Sequence, residues 1–308
     1  VIDNDSRDNS LEIIQNSLVD FKDLLNSKSD FKAKVRLESL PSNVGFARAN
    51  NHAMSIAQGD TYLLLNSDTL VHNNAIGNSY SDFKSSHYGA CGVQLLNADG
   101  SPQISGNYFM KGSINFWLAI PYIGKLLKFA GKLASVKKPN VPDSNAPVEV
   151  DWINGAFLMV RKEVVEWIGK MDEDFFLYAE ETEWCYRIGK QFKLCIYGQY
   201  KVTHLVGASS GTAFDSEGGY ANIFDRKGLQ YLLSNFLRIF KQNGKAWYIL
   251  HLMVYTFSVP VVYSGALFSF SNRKEKLKQA GGLAKNVGAI WKYTSTIFKG
   301  EPHFYKVL

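Results

Sequence analysis

Thr61-Tyr62-Leu63-Leu64-Leu65 runs directly into Asn66-Ser67-Asp68-Thr69. A compact apolar run bounded by polar residues predicts a buried strand over Thr61–Leu65. It delivers Asn66 and Asp68 to one edge of a sheet, because residues two apart in extended chain share a face. A hard divalent cation on a diphosphate takes carboxylate oxygen, which Asp68 can supply while phosphate and water complete the shell. Taken alone, an Asp capping a helix start explains the segment equally well.

Working outward, strands and helices alternate, which predicts an α/β fold with a mostly parallel sheet flanked by helices. Upstream, Ser10–Asn26 carries Leu11, Ile14, Leu18, Phe21 and Leu25 at helical spacing, residues 34–40 read as a short strand, and a helix over 46–57 follows the turn Asn43-Val44-Gly45. Downstream, residues 88–96 and 103–105 flank Asn97-Ala98-Asp99-Gly100, a hairpin signal. Residues 107–147 break the order as an insertion with an amphipathic basic helix over 123–138. The alternation resumes with a strand at 156–160, helices at Lys162–Ile168 and 181–190, and strands at 193–197 and 201–204. Beyond Phe224 the pattern is helical, aromatic and basic.

The 308 residues suffice for one α/β domain, read as residues 1–222, and a helical region, 223–308. A net charge of +6 fits a protein that meets anionic lipid or phosphorylated substrates and is too weak to argue for nucleic acid. Cys91, Cys185 and Cys195 are scattered and odd in number, which speaks against a disulfide framework or a zinc site and for a reducing compartment. The chain opens with Val, already inside a strand pattern, so an upstream strand and helix are expected before it.

Four further segments carry chemistry. In Val1-Ile2-Asp3-Asn4, Asp3 stands just past a strand's carboxyl end, where open α/β sheets bind nucleotides; an ordinary Asx turn is the plain alternative. In Asn43-Val44-Gly45-Phe46-Ala47-Arg48-Ala49-Asn50, Gly45 permits a tight turn and the helix after it offers N–H groups to an anion; a capped helix start is the alternative. Asp151-Trp152-Ile153-Asn154-Gly155-Ala156 precedes Met171-Asp172-Glu173 and the acidic run Glu180-Glu181-Thr182-Glu183. On a helix Glu180 and Glu183 share a side, and Glu183 can pair with Arg187 at i+4. Glu181 is then left to act as a base, although a salt-bridged helix start is the simpler account of the run. His204, at a strand's end before Gly207, can ligate metal or touch phosphate, and a lone His is more often structural.

In this order the segments resemble family 2 glycosyltransferases of the GT-A fold, a Rossmann-like architecture, and in particular the rhamnosyltransferase-like branch. The resemblance runs from Val1 to about Ser210 and implies the following roles. Asp3 reads the nucleobase. Asn43, Gly45 and Asn50 line the nucleotide pocket, and Asn66-Ser67-Asp68 takes the place of the metal-binding Asp-x-Asp motif. Trp152, Gly155, Ala156 and Glu180 lie near donor sugar and acceptor. Glu181 stands where the family usually has a catalytic Asp, and His204 completes the metal site. The implied cofactor is Mg2+ or Mn2+, the donor a nucleotide-diphosphate sugar with rhamnose favoured by the branch, and the acceptor a glycan or lipid-linked saccharide of a bacterial surface polysaccharide. The implied reaction inverts the anomeric centre. The family's opening strand, which ends in a Thr-Tyr-Asn-like segment in mid-sheet, is absent here, so these 308 residues alone are expected to fold poorly or to lack activity.

Residues 246–270 contain no Lys, Arg, Asp or Glu and are long enough to cross a bilayer, which takes about 20 apolar residues. Lys241 and Lys245 precede them and Arg273, Lys274, Lys276 and Lys278 follow. Positive flanks on both sides favour a hairpin or surface-lying helices at the cytoplasmic face of a membrane over a simple span. The basic helix of the insertion offers a second lipid contact, and a helix buried against the catalytic domain is the alternative. Two other classes compete with the transferase. One is a non-catalytic sugar-nucleotide or glycan-binding scaffold. The other is a nucleotidyltransferase, against which the missing Gly-rich phosphate loop speaks.

Overall fold

Apolar runs form the main-sheet strands, and the helices Phe46–Ile56, Ala75–Lys84, Lys162–Ile168 and Glu180–Ile188 turn buried residues toward them. The computed structural model describes residues 1–26, 35–133, 138–142, 144–205 and 222–308. The elements begin with β1 (Ile2–Asp3), α1 (Ser10–Asn26), β2 (Glu38–Ser39), α2 (Phe46–Ile56), β3 (Thr61–Leu65), β4 (Thr69–Val71), α3 (Ala75–Lys84), β5 (Ala90–Leu96) and β6 (Gly106–Asn107). A 3-10 helix (Lys111–Ala119) and α4 (Ile123–Leu133) follow. Then come β7 (Pro147–Val150), β8 (Trp152–Ile153), β9 (Phe157–Arg161), α5 (Lys162–Ile168), α6 (Glu180–Ile188), β10 (Leu194–His204), α7 (Arg226–Leu267) and α8 (Arg273–Lys299). The start of the strand expected at 34–40, part of the helix expected at 123–138, and Gly207 after His204 lie outside the described residues.

The main sheet runs β3-β9-β5-β10-β4, with β7 also on β10. Its pairings are mixed rather than mostly parallel. β5 and β10 are parallel, whereas β9 runs antiparallel to both β3 and β5, and β10 antiparallel to β4 and β7. β1 and β2 form a separate parallel pair, and β3 has β9 as its one partner strand among the described residues. The two strands expected near 193–204 are one strand whose register shifts between Tyr197 and Lys201. The expected hairpin keeps its turn, with Gly100 at φ 81° and Asn97 N–H donating to Ser101 O at 2.8 Å. Its second arm contributes only a bridge from Pro102 to Leu96.

Period-two alternation sends side chains to both faces of the sheet. Leu64, Leu158, Val160 and Ile196 pack with α2, α5 and α6 on one face, and Val93, Leu95, Phe157 and Met159 with α3 on the other. The three cysteines are buried and free. A third apolar cluster belongs to α7 and α8 and takes in Phe116 of the 3-10 helix and Ile120. α7 breaks at Gly244 (φ 82°). Its first half is buried against the acidic segment around α6. Its second half shares buried Tyr248 and Tyr255 with the helical core and leaves Phe257 68% exposed.

Candidate active site

The metal-motif expectation at Asp68 is a question of lone pairs. β3 ends at Leu65, Asn66 N–H donates to Ala156 O at 3.1 Å, and the chain continues into β4 rather than a helix. Asp68 therefore does not cap a helix. β10 pairs with β4 and sets His204 opposite Thr69. This register brings His204 Nε2 to 3.4 Å from Asp68 Oδ1 and to 3.5 Å from Asn66 Nδ2.

Gln103 decides what that contact means. Its Nε2 donates to His204 O at 2.7 Å, which fixes the amide orientation and turns Oε1 toward His204 Nδ1 at 3.1 Å. Nδ1 must then carry the proton, and Nε2 presents a lone pair. Burial holds the imidazole pKa below its ordinary value, outweighing the opposing pull of Asp68, so the ring is neutral at pH 7. Asp68 Oδ1 is buried without a hydrogen-bond partner. Two acceptors thus face one another, with Asn66 Nδ2 at 3.5 Å as the donor beside Nε2, and the pair can share a cation. The donor set of carboxylate oxygen and imidazole nitrogen fits Mg2+ or Mn2+ when phosphate oxygens and water supply the rest. No group of three or more His, Cys, Asp or Glu side chains gathers among the described residues, so the protein provides only part of such a shell.

The nucleotide-side residues assemble around Asn4. Its Oδ1 accepts from Val44 N–H at 3.0 Å, and its Nδ2 donates to Asn43 Oδ1 at 3.2 Å and Gly45 O at 3.3 Å. The end of β1 is thereby tied to the turn before α2. Asn43 Oδ1 also accepts from Gly45 N–H at 3.0 Å, so Asn43 shapes its own turn. Gly45 sits at φ 84°, and a Cβ there would stand 2.3 Å from Phe176 O, so no other residue fits. Asn50 Nδ2 donates back to Phe46 O at 2.9 Å, within α2. Asp3 is buried, with Oδ2 accepting from Ser39 Oγ at 3.3 Å and Oδ1 left without a partner. That orphan oxygen is the acceptor a base N–H would meet.

The acidic run starts α6. Arg187 Nε donates to both oxygens of Glu183 at 2.9 Å, and Glu183 and Glu180 are buried. Burial and the neighbouring Glu181 charge push Glu180 well above the usual carboxylate range, and its Oε2 has no partner. Glu181 is partly buried. Its pKa is raised by burial and pulled back by hydrogen bonds from the Glu181 and Thr182 N–H groups and by the charge of Arg238. Gly155 faces it: a Cβ on Gly155 would lie 3.4 Å from Glu181 Cγ. Ala156 N–H donates to Asn154 Oδ1 at 2.9 Å, and Trp152 pairs with Asn107 across β8 and β6.

The geometry therefore brings Asn66, Asp68 and His204 together, and sets Gly155 beside Glu181. The Asn66–Ala156 bond links the two groups. Phe46 N–H donates to Phe176 O at 2.9 Å and joins the nucleotide turn to the acidic segment. Gln103 and Arg238 are absent from the sequence reading. Arg238 had one signal, a polar stripe Asn235, Arg238, Gln242 through an otherwise apolar helix. Gln103 had none.

The arrangement can be set beside known proteins. The crystal structure of GalNAc-T7 with UDP, GalNAc and Mn2+ superposes over 98% of this chain and 51% of its own, with a TM-score of 0.52 at 11% identity. The fold is GT-A. Residues 1–139 of the GT-A chain match glycosyl transferase family 2. A relative from Haloferax volcanii, the low-salt glycan biosynthesis hexosyltransferase Agl10, is 27% identical over 158 residues, which are 48% of this chain and 44% of that protein. The chain thus spans less than half the length of that curated relative. The mannosyltransferase PcManGT of Pyrobaculum calidifontis, in complex with GDP-Man and Mn2+, is matched at 12% identity and a TM-score of 0.47, over 95% of this chain and 77% of its own. The family match covers the first 139 residues of the 308, and at 11% identity the likeness to GalNAc-T7 is one of fold.

Proposed function

We propose that this GT-A chain is an inverting, metal-dependent glycosyltransferase that moves a sugar from a nucleotide-diphosphate donor to a glycan or lipid-linked saccharide. The observation that carries the reading is the pair of facing acceptors, Asp68 Oδ1 and His204 Nε2, at 3.4 Å. Asp68 and His204 would hold Mg2+ or Mn2+, with Asn66 beside them. When bound, the cation offsets the negative charge that develops on the departing diphosphate.

The chain's own residues do the rest. Asp3 Oδ1 accepts a hydrogen bond from the base, and the Asn4–Asn43–Gly45 turn fixes the floor of the nucleotide pocket. The Gly155 turn leaves room beside Glu181, and its neighbour Ala156 ties that turn to the end of β3. Glu181 takes the proton of an acceptor hydroxyl as the oxygen attacks the anomeric carbon. The bond to the diphosphate oxygen breaks on the opposite face, which inverts the centre. Rhamnose as the transferred sugar rests on the branch resemblance alone. Exposed apolar residues on α4 and distal α7, beside lysines, support a peripheral site at the cytoplasmic face of a membrane.

The test is a donor-hydrolysis screen of dTDP-, UDP- and GDP-sugars with Mn2+ or Mg2+, run beside Asp68→Ala and Glu181→Gln. The expected result is metal-dependent release of one nucleotide, abolished in Asp68→Ala. With acceptor present, Glu181→Gln lowers transfer by at least about 100-fold while donor binding persists. A folded protein that releases no nucleotide from any donor, with or without acceptor, excludes the reading and favours a sugar-nucleotide-binding scaffold.

A further inference from the structure

Arg238 stands out among the buried groups that the mechanism above leaves unused. It lies mid-way along the first half of α7, outside the stretch matching glycosyl transferase family 2, and is only 5% exposed. A buried guanidinium ordinarily sits on a carboxylate, because an unpaired charge in the interior is costly. Arg238 does not. Among the described residues no carboxylate lies within ion-pair distance. Its hydrogen bonds go to neutral oxygens: Nη1 to Gln242 Oε1 at 2.7 Å and Ser113 Oγ at 3.1 Å, and Nη2 to Asn235 Oδ1 at 3.4 Å. Its Nε has no partner at all.

The polar stripe of α7 explains where that charge is directed. Gln242 receives Arg238 on its Oε1 and donates its Nε2 to Thr182 O at 3.5 Å, the residue after Glu181. Tyr186 Oη donates to Gln242 O at 3.1 Å, one turn further along α6. Ser234 Oγ donates to Leu177 O at 2.7 Å, and Lys241 Nζ reaches Asp172 at 2.5 Å and Asp174 at 2.7 Å. The first half of α7 therefore clamps the segment that carries Glu181 at five points, and Arg238 is the one cation in that clamp without a carboxylate of its own.

We propose that Arg238, held by Gln242, Ser113 and Asn235, is a positioning residue that, through Gln242 and the Thr182 carbonyl, fixes the first turn of α6 and with it the Glu181 carboxylate. Arg238 is the one cation that bears electrostatically on Glu181, opposing the upward push of burial, and Glu181 has no ion-pair partner among the described residues. The ionisable groups facing Glu181 among the described residues are Glu180 and Cys185 on its own helix and Arg238 from α7; the Gly155 turn adds no charge. Burial holds the Cys185 thiol up at about 12 and Glu180 well above the usual carboxylate range, so both favour their neutral forms and Arg238 is the charged group among the three. Burial also lowers Arg238 to about 10, which still leaves it cationic at pH 7. A positive neighbour favours the charged form of a carboxyl group, commonly by about one to three pH units.

The inference rests on Glu181 as the base, and the experiment separates the two ideas. Transfer to an acceptor is followed from pH 5 to 9 in the parent chain and in Arg238→Gln, Arg238→Lys and Gln242→Glu, with thermal melts confirming that each variant folds. In Arg238→Gln the acid limb of kcat is expected to move up by about one pH unit or more, with donor KM unchanged, and Arg238→Lys should restore most of the parent profile. Gln242→Glu keeps the contact to Arg238, offsets its charge and removes the bond that Gln242 Nε2 donates to Thr182 O, so it should shift the limb the same way even if Arg238→Gln fails to fold. Folded variants with the parent's acid limb overturn the inference while leaving the transferase reading standing. If Glu181→Gln transfers sugar normally, it is the base assignment that fails.

Discussion

At His204 the choice between two tautomers is made by a neighbour that touches no ligand. Gln103 holds both the backbone oxygen and Nδ1, so Nε2 keeps its lone pair for the space beside Asp68. Gln103→Leu removes both bonds and frees the ring. Mn2+ affinity in the presence of nucleotide, measured by titration calorimetry, is expected to fall about 10- to 100-fold while the fold persists. Glu180 offers a prediction of the opposite kind, in stability. Its pKa in the native state lies well above the ordinary 4.5, through burial and then the Glu181 charge. The native chain thus holds that proton at pH values where the unfolded chain has released it. Stability from this group is complete below about 4.5 and is lost as pH rises through the native value. Glu180→Gln should therefore melt higher than the parent near neutral pH, with the difference in Tm shrinking toward zero near pH 4. An unchanged difference across that range would show that Glu180 carries no such penalty.

Among the elements, the turn into α2 has the least tolerance. Gly45 combines a left-handed backbone with a carbonyl where its Cβ would be. Gly45→Ala is expected to cost about 2 kcal/mol or more, read as a lowered urea midpoint, and to weaken nucleotide binding if the same turn floors the proposed pocket. This turn was legible in the sequence, because Asn-Val-Gly before an amphipathic run is local chemistry. So was the strand that leads to Asp68, and so was the Glu183–Arg187 pairing, which needs only helical spacing. The direction of β9 was not legible: a buried apolar strand such as Phe157–Arg161 reads the same in either sense, and only its partners decide. Gln103 and Arg238 were hidden for a related reason. Their contacts lie 101 residues away at His204 and 125 away at Ser113, and no spacing rule spans such a gap.

Across the whole molecule, the distribution of apolar surface sorts α7 into two functions. The part before Gly244 grips the acidic segment that carries Glu181, the proposed base. The part after it leaves Phe257, Val261, Leu267 and Phe268 exposed, close to α4, since Tyr122 at the start of α4 packs on Gly265. α4 adds exposed Leu126, Phe129 and Leu133, interleaved in sequence with Lys125, Lys128 and Lys132. Apolar residues set among lysines suit an anionic lipid surface, at roughly 1 kcal/mol per basic residue. The full chain is expected to pellet with vesicles of phosphatidylcholine and phosphatidylglycerol at 7:3 and much less with phosphatidylcholine alone. Exchanging the three α4 lysines for glutamate should weaken that binding by about tenfold or more. Equal binding to both vesicle types would remove charge from the account.

β10 has a consequence for how the molecule comes apart. It is the strand on which β5, β4 and β7 all converge, and it ends at His204. Amide protons in such a central ladder are released only by global opening, whereas those of distal α7 exchange through local fraying. The Asp68–His204 pair proposed to hold the cation is thus rooted in the central sheet, and the exposed apolar residues proposed to meet lipid lie on the outer face of α4 and distal α7. On warming, attachment to a surface should be forgotten first and the memory of the metal last.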